Sequence, residues 1–312
     1  RYNGDVLHVI AVLLAAVLFG TTGTSQALGP DGTTPLAVGV MRIVIGGTAL
    51  ALLAFPLASR HAKRHPSATR PRLGIRPALL MALTGLCLAV YQPLFFLGTA
   101  RNGVAVSTVI ALGSAPVLAG LLEWALTRRL PSATWIGATA LATTGVVLLG
   151  FGGSAGSGGT DPVGVAGAVG AGASFAVIAN VQRRLLDAGW DAFTVVGAMG
   201  ASAAVVGALA MPLVDLSWLA QPRGWAMALW LGLATVAAAY TLFTWGLQGL
   251  GGDRRALTLG EPLTASVLGL TVLGEHLSAL ATVGLAVLAA GLAMLAWGSR
   301  RVRDPEPFAV EG

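Results

Sequence analysis

Apolar residues in this sequence gather in long unbroken runs rather than alternating with polar ones. Ten such runs stand out, at 6–27, 35–57, 77–98, 103–125, 133–151, 163–185, 191–213, 225–248, 255–273 and 279–298. A hydrocarbon core about 30 Å thick is crossed by about 20 residues of helix, so each run predicts a transmembrane helix. Membrane barrels read instead as roughly ten-residue segments of alternating hydrophobicity, which this pattern excludes. The first run is too long for the apolar region of a cleavable signal, and a second follows at once, so it predicts a span. Gly29-Pro30-Asp31-Gly32 marks a turn, and the Gly/Ser-rich segment from Gly152 to Asp161 reads as a flexible linker. The expected organisation is a first five-helix repeat over 1–151, a linker at 152–162, a second repeat over 163–298 and a tail at 299–312.

Composition sharpens this picture. Of 312 residues, 55% are AVILMFWYC and only 10% are charged, with mean hydropathy +0.78. Soluble domains carry about 25% charged residues. The balance excludes a soluble enzyme, a nucleic-acid-binding domain and a disordered chain. The net charge of +6 then reads as a topology signal. With the N-terminus placed inside, 16 of the 19 Lys and Arg fall in inner loops and tails, led by the cluster from Arg60 to Arg76. Only Arg101 and Arg223 fall outside, and Arg42 lies within a helix. Positive loops stay cytoplasmic, so the expectation is ten spans with both termini in the cytoplasm. Lys63 is the only lysine, and abundant Arg, Ala and Gly point to a GC-rich bacterial genome.

The two groups of five helices share weak internal similarity. Ser114-Ala115-Pro116 parallels Gly260-Glu261-Pro262, and Ile136-Gly137 parallels Val283-Gly284. Tyr91 parallels Tyr240, and Phe19 parallels Phe175. Five is odd, so the second group inserts upside down relative to the first. Inverted repeats of this kind build secondary transporters with the substrate site near the midplane.

Phe19-Gly20-Thr21, Arg42, Ser114-Ala115-Pro116, Glu261-Pro262 and Gly274-Glu275 resemble the motifs of the drug/metabolite transporter superfamily, EamA type. The resemblance extends over nearly the whole chain. Two departures stand out: Phe19-Gly20 replaces the usual Trp-Gly, and Arg128-Arg129 stands after the fourth helix where the ninth is followed by Gly274-Glu275. The resemblance implies inner-membrane export of small metabolites, often amino acids, with the YddG-like aromatic amino-acid exporters as the nearest branch.

Polar residues inside spans are costly in lipid and so mark candidate sites. On the third helix Gln92, Phe95, Phe96 and Thr99 share one helical face, with Tyr91 beside them. On the eighth, Tyr240, Thr241, Thr244 and Gln248 form a similar face, with Trp245 adjacent. A cavity between these helices offers aromatic walls and hydrogen-bonding rims, suited to an amino acid with an apolar side chain. The opposing reading places Tyr and Trp in interfacial belts and bonds Thr back to its own helix. Asn180, Thr21 and Thr24 are further lining candidates, or helix–helix bonds. Arg42 either snorkels, pairs with an acid or attracts a substrate carboxylate. Glu261, preceding the helix-breaking Pro262, either carries a coupling proton or pairs with Arg254 or Arg255. Glu123 reads as interfacial.

No phosphate-binding Gly-Lys loop is present, which excludes ATP-driven transport by this chain alone. Cys87 is the only cysteine, so no intrachain disulfide forms. His8, His61, His65 and His276 lack metal-ligand spacing, and no mid-membrane carboxylate pair suggests a hydrolase. The expectation is therefore a transporter, not an enzyme, without cofactor or metal. Its partners are a small-molecule substrate and the lipid bilayer rather than nucleic acid, and a monomer is compatible with the sequence.

Overall fold

The computed structural model describes residues 2–64, 71–128, 133–152, 160–249, 260–276 and 278–301. Among these the chain is helical, with no strand. Its helices are α1 (Tyr2–Ala27), α2 (Pro35–Arg64), α3 (Ile75–Asn102), α4 (Val104–Thr127), α5 (Ala133–Gly152), α6 (Pro162–Asp187) and α7 (Ala192–Ala210). Two 3-10 turns precede α8 (Pro222–Leu229), which continues through a π-helical segment, Trp230–Ala238, into α9 (Ala239–Gly249). The chain then forms α10 (Gly260–Thr271) and α11 (Ala279–Arg301). Seven helical segments are long and apolar enough to cross a membrane, one of them running from Pro222 to Gln248. Ile136–Leu148 and Ala279–Gly291 are shorter apolar helices. Residues 153–159 of the linker expected at 152–162, residues 65–70 and the tail beyond 301 lie outside the described residues.

Local chemistry sets the helix ends. Pro162 opens α6 behind Asp161, whose carboxylate accepts from Val163 N at 2.7 Å. Asp191 caps α7 by accepting from Thr194 N at 2.9 Å, and Ser278 caps α11 through Ala281 N at 3.1 Å. Such caps satisfy amides that the helix itself leaves orphaned. Between α3 and α4 a single residue, Gly103, turns the chain at φ +80°, a backbone conformation that favours glycine.

The helices pack through small residues. The Cα of Gly47 on α2 faces the backbone of Gly200 on α7, and a Cβ on Gly200 would stand 2.8 Å from Gly47 O. Gly46 and Gly232 bring α2 equally close to the π segment. In lipid, where apolar burial gives little drive, such close backbone approach supplies much of the association energy. Large apolar side chains such as Leu52, Ile75 and Leu209 are exposed, as a lipid-facing surface requires.

The neighbour pattern is regular. Helix α3 packs on α6 and α7, and α4 on α6. Helices α9 and α10 pack on α1, and the π segment on α2. Helices α2 and α7, α4 and α10, and α5 and α11 also pack together. Ion pairs define two ends. Arg183–Glu123 (2.6 Å) and His61–Asp191 (2.8 Å) mark one end, which also holds the start of α1, where His8 meets Trp245. Arg101–Asp161 (2.5 Å) marks the other.

Candidate functional site

A cavity of about 270 Å³ lies between α1, α2, α3, α4, α6 and α9. Its polar wall is built around Arg42, which is only 4% exposed. Arg42 Nη1 donates to Gln92 Oε1 on α3 at 2.6 Å, Nη2 to Thr22 Oγ1 on α1 at 3.2 Å, and Nε to Thr235 Oγ1 in the π segment at 3.2 Å. Nη2 also reaches the Thr235 carbonyl at 3.4 Å. The guanidinium carbon sits 5.8 Å from the Phe96 ring centroid. A cation buried at this depth is expensive, and this cage of oxygens and an aromatic face offsets the loss of water.

A guanidinium only donates, so the Gln92 amide turns its oxygen toward Arg42. Gln92 is 1% exposed, and its Nε2 has no hydrogen-bond partner among the described residues. A buried donor left in this state calls for an explanation such as an absent ligand.

The apolar walls are aromatic and paired. Tyr91 on α3 faces Phe175 on α6 with ring centroids 6.3 Å apart, and stacks on Phe95 at 5.5 Å. Tyr240 on α9 meets Phe19 on α1 edge-on at 4.9 Å, with Phe243 nearby. Ala115, Pro116, Ala176 and Ala179 line the remaining sides, their small size leaving the space open. The lining follows α4 to Ala119 and α6 to Ala179, one helical turn short of the Glu123–Arg183 pair. Asn180 reinforces that pair: it accepts from Arg183 at 3.2 Å and donates to Ala119 O at 3.1 Å. Toward the opposite end, Gln26 accepts from Thr99 at 2.5 Å and joins α1 to α3.

Of the residues singled out in the sequence, Tyr91, Gln92, Phe95, Tyr240 and Arg42 all line this cavity. Thr241 and Trp245 instead line a separate recess with Arg60, His61 and Phe193. Thr244, Asn180, Thr24 and Thr21 are not among the cavity-lining residues. Thr21 bonds back to Leu18 O and accepts from Trp230 Nε1 at 3.0 Å. Glu261 and Pro262 fall in the first described turn of α10, and their side chains lie outside the described residues. Thr22 and Thr235, which hold Arg42, were not anticipated. The repeat parallel of Phe19 with Phe175 was the available signal for those two walls. Among the described residues no group of three His, Cys, Asp or Glu is placed to hold a metal ion.

The EamA-like transporter family matches residues 6–151 and again residues 162–297. The chain belongs to that family. YwfM of Bacillus subtilis (strain 168), described as an uncharacterized transporter, is 39% identical over 301 residues, 96% of this chain and 97% of that protein. A solved crystal structure shares the fold with a TM-score of 0.61 at 21% identity, over 95% of this chain and 99% of that one. As an EamA-like protein the chain is a multi-pass membrane transporter.

Proposed function

We propose that this EamA-like chain is a bacterial inner-membrane secondary transporter that exports amino acids with aromatic or other apolar side chains by alternating access. Its architecture is ten spans in two inverted five-helix repeats, with both termini cytoplasmic. Counting α8 to α9 as one span and including α5, α10 and α11 gives the ten. Exchanging α1 with α6, α2 with α7, α3 with α8–α9, α4 with α10 and α5 with α11 turns α3–α6 into α9–α1, α4–α6 into α10–α1 and α3–α7 into the contact of the π segment with α2, whereas α3–α4 and α4–α5 have no such counterpart among the described residues. The double match to the family supports the same division.

The observation that carries the solute reading is the paired aromatic wall. Tyr91–Phe175 and Tyr240–Phe19 are exchanged by that same operation, so each wall of the cavity joins one residue from each half. A site between inverted repeats is where rocking of one half against the other alternates access. Its volume, near the ~300 Å³ lower end of small-molecule sites, fits one ring and a short polar head.

Purified protein in proteoliposomes, tested for uptake and efflux of a panel of labelled amino acids with and without a pH gradient, checks this reading. Flux of aromatic amino acids, lost in Tyr91→Ala and Tyr240→Ala proteins that remain folded and inserted, is the expected result. Normal transport of the whole panel by both variants removes these residues from the site.

A further inference from the structure

The recess that holds Trp245 is about 460 Å³ and lies apart from the central cavity, between the ends of α2 and α9 and the start of α7. It exists because α9 packs on α1 and on the π segment but only sparsely on α2 and α7. Its character changes along the helices. The two apolar spans that flank it end at Lys63 and Gln248. Leu57 and Leu242 lie one to two turns inside those ends, and with the buried Phe193 they form an apolar floor. Arg60 and His61 stand in the last turn of one span and Gln248 closes the other, so the rim is polar. Trp245, 39% exposed, joins floor to rim, and an indole suits the boundary between hydrocarbon and water.

In a bilayer, lipid tails are as apolar as leucine and can fill such a notch. The charge at the rim singles out which lipid. Arg60 is exposed there, and its guanidinium presents a planar fork of donors that matches a phosphate. Lys63, also exposed, lies one turn further along the same helix. The carboxylate nearby, Asp191, is engaged: it meets His61 at 2.8 Å and caps α7.

We propose that this recess binds an anionic phospholipid, with its phosphodiester at Arg60, an acyl chain along Leu57, Leu242 and Phe193, and the Trp245 ring against the glycerol region. The site goes beyond the transport reading and depends on neither the solute nor the direction of its movement. It touches the central cavity through α9, whose other face carries Tyr240 and Phe243 into that cavity. A lipid wedged between α9 and α2 therefore supports this aromatic wall from behind.

The test places the purified full-length protein in phosphatidylcholine nanodiscs and adds lipids with brominated acyl chains, which quench tryptophan on contact. The chain has eight Trp, so the Trp245 signal is the difference between wild type and Trp245→Phe. One basic side chain at an anionic lipid surface corresponds to about a fivefold preference, so brominated phosphatidylglycerol is expected to quench Trp245 at about one-fifth of the mole fraction that brominated phosphatidylcholine needs. Arg60→Gln is expected to remove that preference and Arg60→Lys to keep part of it. Native mass spectrometry reads the same site without tryptophan, as phosphatidylglycerol retained by wild type and lost from Arg60→Gln. Excess glycerol 3-phosphate in solution is expected to leave the quenching unchanged, because it has no acyl chain for the floor.

Equal quenching of Trp245 by the two brominated lipids overturns the proposal, as does a preference or a retained lipid that survives Arg60→Gln. Absence of quenching by either lipid overturns it too, and places protein rather than lipid over the recess. Loss of quenching on adding glycerol 3-phosphate overturns it in favour of a soluble phosphate ester.

Discussion

Removing the carboxylate of Glu275 should open the end of the bundle opposite the start of α1. Glu275 follows α10 in the second family-matched segment, and it reaches across to the start of α4 in the first. Its Oε1 accepts from Val104 N at 2.5 Å and its Oε2 from Ala105 N at 2.9 Å. Gly274 turns the chain at φ +65°, and Glu275 N bonds Gly269 O at 3.0 Å, which aims the side chain. A Cβ on Gly103 would stand 2.9 Å from Oε1, and one on Gly269 2.7 Å from Oε2, so the carboxylate enters a slot that glycine keeps open.

Hydrogen bonds to a charged group contribute about 1.5–3 kcal/mol each. Glu275 is half-buried, and water competes for both amides once the contact opens. The loss of an N-cap side chain, about 0.5–2 kcal/mol, is therefore the closer guide. We take about 2 kcal/mol for Glu275→Ala, which is a shift of about 30-fold in a two-state equilibrium. A cysteine at Thr108, buried on α4 below this contact, reports the opening in a Cys87→Ala background. Its labelling rate in membranes is expected to rise up to about 30-fold in Glu275→Ala. Glu275→Gln, which keeps one acceptor but turns a donor onto the second amide, falls between. A Glu275→Ala protein that is folded, yet labels within twofold of its parent, refutes the idea that this carboxylate holds the end shut.

Three further outcomes follow from the packing and the charges. Gly47→Ala drives a methyl into the backbone of Gly200 and is expected to lower stability by about 1–3 kcal/mol in thermal unfolding, whereas Gly74→Ala, with only Pro77 Cδ at 3.9 Å, should be neutral. Single cysteines at Ser67 and Ser157 in the Cys87→Ala background should label from opposite faces of the membrane, and labelling from one face would defeat the ten-span topology. The Arg101 guanidinium beside Asp161, helped by the Val163 amide, holds the Asp161 carboxyl below the usual carboxylate range. A depressed value stabilises the fold at pH above the ordinary Asp value of about 3.9 and is lost as pH falls through the folded one. The gap in melting temperature between wild type and Asp161→Asn should therefore be constant near neutrality and close only in strong acid.

Seven of the spans were legible because lipid forces long apolar runs, and Tyr91 and Tyr240 were legible as aromatic residues amid polar ones within such runs, whereas their partners Phe175 and Phe19 were not placed in the cavity from the sequence. On α9 the residues grouped together from the sequence divide between two recesses. Sequence reasoning put Thr241, Thr244 and Gln248 with Tyr240, on the premise that polar atoms in a span turn toward the solute. The cavity face is instead Tyr240 and Phe243, and Thr241, Trp245 and Gln248 line the recess beside Arg60 and His61. Thr241 there is satisfied by its own helix, donating to Ala237 O at 2.7 Å. Thr22 and Thr235 were silent because a threonine in a membrane helix ordinarily bonds to its own backbone. Thr235 does so too, donating to Leu231 O at 2.7 Å, while its oxygen also accepts from Arg42. The π segment has no sequence mark either, since Trp-Leu-Gly-Leu-Ala-Thr-Val-Ala-Ala reads as any apolar turn of helix.

That π segment gives the cavity a mechanical connection to the rest of the bundle. Arg42 is bonded at once to α1, α3 and the π segment while standing on α2. The π segment also lies against α2 through Gly46 and Gly232, where backbones nearly touch. Wide π turns are less stable than α turns and recur at functional sites, so this stretch is where the rod from Pro222 to Gln248 yields most easily. Bending it relative to α2 stretches the Arg42–Thr235 bonds. The shape of this rod and the polar wall of the cavity are thus coupled through one side chain. A solute in the cavity would move such an equilibrium only by binding the two shapes unequally.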